Sequence, residues 1–198
     1  MQNTYFYALV TKFSTSSISW KDFIGLTGLV NLNEVVSVDN ILCPSLIEVL
    51  TPEDWSHNVH DDFRTYFFWD IKYLIKRAMD FPTGNLLALL EDPMRSGIGT
   101  RHFGVGVLPS CEGFVFKGYD IVDEDYHASL LTNCGGFPDV FQGTELNSCG
   151  LIERQSRAYE IKIDLMKKHY DNPHTKCIVL AVWRNEQVSF GQTIETPR

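Results

Sequence analysis

Hydrophobic and polar positions change over in short blocks along the chain, and most blocks predict an element. Residues 4–13, Thr-Tyr-Phe-Tyr-Ala-Leu-Val-Thr-Lys-Phe, are β-branched and aromatic and predict an opening strand. Ser14 to Ser19 is a polar turn, and Glu34 to Leu42 reads as a second strand that stops before Pro44. At Leu50-Thr-Pro-Glu-Asp-Trp55 the signals of a helix start coincide. Thr51 can cap, Pro52 suits the first helical position, and Glu53 and Asp54 suit the positive end of the dipole. Apolar residues at Phe63, Phe67, Ile71, Leu74, Ile75 and Ala78 keep helical spacing and predict a helix from Asp61 to Met79. The cluster Tyr66-Phe-Phe-Trp69 also reads as a strand leading into a shorter helix.

Beyond the break at Pro82 and Gly84, Leu86 to Leu90 reads as a buried strand. Residues 93–106 carry Pro93, Gly97, Gly99, Gly104 and Gly106 and read as a loop. Val105 to Leu108 and Gly113 to Val122 read as strands joined around Pro109 to Glu112. Asp123 to Asn133 has acids in its first turn and predicts a helix, ended by Gly135 and Gly136. Residues 137–150 are Gly- and Pro-punctuated loop. Ile152 to Tyr170 has the stripe Ala158, Ile161 and Leu165 among charges and is the strongest helix, stopped at Asp171-Asn-Pro173. The apolar run Cys177 to Trp183 is the last strand. No internal repeat, low-complexity tract or linker interrupts this order. The expected architecture is a single α+β domain over residues 1–198, a mostly antiparallel or mixed sheet packed against two or three helices.

Composition narrows the class. The 198 residues are 44% hydrophobic and 21% charged, globular values that exclude disorder, collagen and coiled coil. No stretch approaches the ~20 apolar residues of a membrane span. Met1 to Tyr5 shows neither the basic nor the apolar region of a signal peptide. Cys43, Cys111, Cys134, Cys149 and Cys177 are odd in number, widely spaced, and include no Cys-x-x-Cys pair. They suggest neither a disulfide framework nor structural zinc. The expected compartment is the cytoplasm.

Charge is the more informative quantity. The net charge is −8, unfavourable for a nucleic-acid binder, since phosphates would be repelled. Residues 22–63 hold Asp22, Glu34, Asp39, Glu48, Glu53, Asp54, Asp61 and Asp62 without one Lys or Arg. A second base-free patch is Asp120, Asp123, Glu124 and Asp125, interleaved with Tyr119 and Tyr126. Such a surface either keeps a protein soluble or steers a cationic partner toward aromatic anchors. The second reading assigns Asp61, Asp62, Asp120, Asp123, Glu124 and Asp125 as steering groups, with Trp55 and Tyr126 as anchors.

Candidate chemistry is sparse. Cys134 lies seven residues after His127 on the predicted helix, about 10 Å away along its axis and beyond hydrogen-bond reach. A helix C-terminus would also raise rather than lower its thiol pKa. His57 and His60, followed by Asp61 and Asp62, form the one local cluster of possible metal ligands, but no Glu stands inside the pair as in the metalloprotease pattern. The paired glycines at 97, 99, 104 and 106 complete no phosphate-binding motif, and Gly-x-Ser-x-Gly is absent. No cofactor, resident metal or catalytic residue is expected.

The segments Gly118-Tyr-Asp-Ile-Val-Asp123, Leu130-Leu-Thr-Asn-Cys-Gly-Gly136, Glu145-Leu-Asn147, Gly150-Leu-Ile152 and Ala181-Val-Trp-Arg184 look like parts of small bacterial accessory proteins encoded beside secreted toxins. In this the chain resembles the immunity proteins of contact-dependent inhibition and other polymorphic toxin systems, over residues 113–184. The resemblance implies a cytoplasmic, acidic, single-domain protein that binds a cognate, basic toxin domain and blocks it stoichiometrically. It carries over no catalytic residue. The alternatives are a cysteine- or metal-dependent hydrolase using Cys134 or His57 and His60, and a structural subunit of a bacterial or phage assembly. Partner identity, oligomeric state and strand order stay open at this level.

Overall fold

Two strands made almost entirely of apolar residues dictate the centre of the molecule. In the computed structural model, which describes residues 5–58, 66–91, 113–132, 137–172, 175–188 and 190, these are β5 (Asn85–Glu91) and β7 (Cys177–Asn185). Every residue of β5 is buried, the expected result for a Leu-Leu-Ala-Leu-Leu run covered on both faces. β5 pairs with β1 (Phe6–Val10) on one side and with β7 on the other. β7 continues to β6 (Phe114–Asp123), and β1 to the two-residue β4 (Phe67–Phe68). The five-stranded sheet therefore runs β4-β1-β5-β7-β6, with all pairs antiparallel. A separate hairpin joins β2 (Phe13–Ser14) to β3 (Glu34–Val35). The fold is α+β, with the antiparallel form of sheet.

Three substantial helices and one short one cover this framework. α4 (Gln155–Lys168) packs against β6 and β7 through Ala158, Ile161 and Leu165, the stripe that its sequence predicts. α3 (Ile71–Ala78) covers β1, burying Tyr73, Leu74 and Ala78 against Leu9, Phe68 and Leu86 in a cluster of its own. It begins where the Asp70 carboxylate accepts the N–H groups of Lys72 and Tyr73, at 2.9 and 3.1 Å. The predicted helix over 61–79 is thus the shorter helix preceded by a strand. Two phenylalanines at 67 and 68 are both fully buried, which a β bridge allows and an amphipathic face does not.

α1 (Trp20–Thr27) buries Trp20 and Phe23, packs half-buried Ile24 against the core, and ends on Gly28, left-handed at φ 68°, whose N–H reaches the Ile24 carbonyl at 2.9 Å. The hydrophobic pattern assigns it no element, because Ile24, Leu26 and Val30 blur the face. The strand predicted over 34–42 survives only as β3. Beyond Val35 the Ser37 and Asp39 side chains hydrogen-bond nearby backbone and divert the chain into turns.

α2 (Pro52–His57) starts as its sequence requires. The Thr51 hydroxyl accepts the Asp54 N–H at 3.2 Å, and the Asp54 carboxylate accepts the Thr51 N–H and hydroxyl, each at 2.8 Å. Thr51→Ala removes both hydroxyl bonds and is expected to lower stability by about 1–2 kcal/mol, read from the urea midpoint.

The helix predicted over 123–133 does not form in its described part. The Asp123 carboxylate takes the amides of His127 and Ala128, at 2.6 and 3.4 Å. Tyr126 adopts φ 55°, and the chain doubles back along β6 through the Leu130 N–H to Ile121 carbonyl bond of 2.7 Å. An acid that suits a helix start suits an Asx turn equally, and here the free edge of β6 decides between them. The strand predicted over 105–108 and the loop over 93–106 lie outside the described residues.

Candidate functional site

The aromatic and acidic residues singled out by the sequence separate in space. Asp120 is fully buried, Asp123 is 5% exposed, and Tyr126 is 6% exposed. Tyr126 packs edge-on to Phe67 and Phe6, with ring centroids 4.9 and 6.2 Å away. These three therefore belong to the interior and cannot steer or anchor a partner. The physical reason is local: Asp120 and Asp123 are consumed by backbone and serine donors at the edge of β6, and Tyr126 is drawn in by the turn that Asp123 closes. Glu124 and Asp125 remain exposed, with Glu124 3.8 Å from Lys176. Asp61, Asp62, His60 and Cys134 lie outside the described residues.

The long base-free tract is dispersed as well. Asp39 and Asp54 are buried, and Glu34 is ion-paired to Arg184 at 2.6 Å in a network with Glu186 and Lys117. Of its six described acids, Asp22, Glu48 and Glu53 face solvent. Much of the negative charge is therefore structural.

Among the described residues, two of the three strongly exposed aromatic side chains, Trp55 and Trp69, stand on neighbouring elements at one corner, while the third, Tyr170 at 76% exposure, lies beyond the end of α4. Trp55 on α2 is 50% exposed, and Trp69, between β4 and α3, is 58% exposed. The Trp69 N–H donates to the His57 carbonyl at 3.2 Å and Asn58 bridges Phe68, so α2 and β4 are tied side by side. Behind the indoles stands a buried ionic lock. The Asp54 carboxylate accepts the Tyr73 hydroxyl at 2.5 Å and the Arg77 Nε at 3.0 Å, besides its two bonds from Thr51. Arg77 reaches on to Asp80. Burial alone would raise the Asp54 carboxyl, but the bonds from Arg77, Tyr73 and Thr51 outweigh it and hold its pKa at about 2. Burial, with the bond to Asp54, pushes Tyr73 up to about 12. His57 lies flat on Tyr73, centroids 4.1 Å apart and planes 12° from parallel, with Nδ1 3.4 Å from Asp70. Its ring thus belongs to the support of the corner.

Glu53 lies at this corner, 4.0 Å from Lys76, and exposed Val49 and Glu48 precede α2. Glu48 also lines a cleft of about 490 Å³ with Asn40, Ser45 and Tyr66. Pattern reasoning finds Trp55 and misses Trp69, because an exposed indole at the end of a four-aromatic cluster reads as core. It also misses the pairing of Asp54 with Tyr73 and Arg77, which stand in the first and second turns of another helix.

Comparison with protein-family models, curated proteins and solved structures finds no match.

A second polar cluster lies inside. Asp120 is bonded by the hydroxyls of Ser37 and Ser129, and burial pushes its carboxyl up to about 6 against those bonds. Cys43, Cys149 and Cys177 are buried thiols outside any disulfide, and burial drives Cys43 far above the usual thiol range. Among the described residues no group of three or more His, Cys, Asp or Glu could hold a metal ion, and no helix is long and apolar enough to cross a membrane. The α2–β4 corner presents two half-exposed indoles on elements joined by backbone bonds.

Proposed function

We propose that this protein is a stoichiometric inhibitor of the immunity type, which docks on a cognate basic toxin domain through the α2–β4 corner. The observation that carries this reading is the pair of exposed indoles, Trp55 and Trp69, held on elements that the Asp54–Tyr73–Arg77 lock makes rigid. Tryptophans presented at low entropic cost are the residues that dominate interface energies. Glu48 and Glu53 stand beside them as exposed acids in a tract without Lys or Arg, and their role is to accelerate encounter with a cationic surface. Glu124 and Asp125 form a separate acidic edge that serves the same steering. The resemblance of residues 113–184 to immunity proteins of polymorphic toxin systems supports the same class.

The test begins with the adjacent gene: the reading requires that it encode a secreted protein with a C-terminal toxin domain, and that domain is titrated calorimetrically with the purified chain, whereas a neighbour of another kind counts against the function. Trp55→Ala and Trp69→Ala are each expected to weaken binding by about 30-fold or more, equivalent to about 2 kcal/mol. Urea stability should stay within about 0.5 kcal/mol, as at other surface positions. Reversing Glu48 and Glu53 to Lys should slow association and flatten its salt dependence. A one-to-one complex that is indifferent to both indoles sinks the assigned surface. Failure of the wild-type chain to neutralise the toxin at equimolar ratio sinks the function.

A further inference from the structure

α4 carries two apolar rows. Ala158, Ile161 and Leu165 face the sheet and are fully buried. Tyr159, Ile163 and Met166 follow at steps of four and three residues on another side, about 130° round the helix at 3.6 residues per turn. Ile163 is 47% and Met166 49% exposed, half-buried Tyr159 heads the row, and exposed Tyr170 follows just past the helix end. Alternating steps of four and three are the spacing of a helix–helix seam, which a second helix covers.

The neighbouring loop lies elsewhere on α4. Arg157 donates to Glu145 at 2.6 Å and to the Val140 carbonyl at 3.1 Å, and Lys168 donates to the Asp139 carbonyl. Both cations project from the side of the helix away from the row, and they hold residues 139–145 there. The flanks of the row are charged. Exposed Glu160 and Lys167 stand on one side and half-buried Lys162 on the other. Glu160 also accepts Arg157 Nη1 at 3.4 Å, yet its side chain stays 63% exposed.

We infer that a second copy of this chain covers the row, its α4 laid antiparallel along the first so that Ile163 of each copy packs on Met166 of the other. Charge decides the direction. A twofold axis at the midpoint between Ile163 and Met166 brings Glu160 of each copy beside Lys167 of the other, and Tyr159 beside the Tyr170 segment. Parallel pairing brings Lys162 of one copy against Lys167 of the other, a repulsive contact. A seam of so few side chains belongs to the weak, exchanging class of interface. α4 packs on β6 and β7, whereas Trp55 and Trp69 adjoin β4 at the other edge of the sheet, so pairing and toxin docking use separate surfaces and are tested separately.

Sedimentation equilibrium of the whole chain, from about 10 µM to about 1 mM, reads the association. Salt at about 0.15 M screens the repulsion between copies that each carry a net charge of −8. The wild type should pass from monomer to dimer across this range. Ile163→Glu should weaken association by about 30-fold or more, and Glu160→Lys or Lys167→Glu alone by about tenfold. Combining Glu160→Lys with Lys167→Glu should restore the wild-type dimer, because each acid again meets a base. All three positions are exposed, so the thermal midpoints of the variants should match the wild type. A wild-type chain that stays monomeric at about 1 mM overturns the inference. So does a dimer that withstands Ile163→Glu, or a folded double reversal that stays monomeric. Should Ile163→Glu fail to fold, the two single reversals and their combination decide the matter.

Discussion

Replacing Arg77 by methionine is expected to destabilise the fold by about 2–3 kcal/mol, below the range for a fully buried ion pair because the Arg77 side chain keeps 23% of its surface exposed. The Asp54 carboxylate has no solvent exposure, and among the described residues Arg77 is the one cation placed on it, at 3.0 Å. Methionine keeps most of the aliphatic stem, so the loss reports the stranded charge rather than packing. Asp54→Asn combined with Arg77→Met should recover a large part of it, since the stranded charge is gone in the double variant. The pH profile supplies the sign. With its carboxyl at about 2 in the fold and 3.8 unfolded, Asp54 contributes on the order of 2–3 kcal/mol above pH 4, lost as pH falls through 2. In Arg77→Met burial is opposed only by Tyr73 and Thr51, so the carboxyl rises and this acid-side loss shrinks. Chemical denaturation of both proteins between pH 2 and 7 checks it; a wild-type-like acid limb in Arg77→Met would show that the ion pair is not what depresses Asp54.

Gly118→Ala is expected to cost about 2–4 kcal/mol, combining positive-φ backbone strain with overpacking. Gly118 has φ 140°, and an added Cβ would stand 2.8 Å from the Leu151 Cβ and 2.9 Å from the Ile152 carbonyl oxygen. Neither neighbour can give way, because Tyr119 and Ile152 exchange backbone bonds of 2.8 and 3.0 Å at this point. The register of β6 against β7 shifts here, between Phe116 and Gly118, and the bulge sets which face Asp120 and its neighbours occupy downstream. Urea unfolding gives the magnitude. Gly25→Ala, in the body of α1 with open space around its Cβ position, should instead stabilise by about 0.5–1 kcal/mol. Equal and small effects at the two positions would contradict the close packing at the bulge.

Both predictions concern residues whose importance is visible only once the chain is folded. Elements with a strong local cause were legible beforehand: the α2 start, because Thr51, Pro52 and Asp54 act within one turn, the α4 stripe, because three apolar residues repeat at helical spacing, and the β5 and β7 runs, because burial on both faces leaves no polar positions. The acidic patch at 120–125 was legible as charge but not as surface. A carboxylate written into a sequence carries no mark of whether it will meet water or a serine, and Asp120 met two serines that lie 83 and 9 residues away.

Composition and periodicity by themselves therefore determined the class of fold, the principal strands and helices and the excess of negative charge, since each follows from neighbours a few positions apart. Tertiary structure alone decided strand order, the turn in place of a helix after Asp123, the burial of Asp39, Asp54, Asp120 and Tyr126, and the exposure of Trp69. Those outcomes depend on which distant donors, cations and sheet edges arrive beside a residue, and hydrogen-bond satisfaction in the interior, rather than local preference, selects among them.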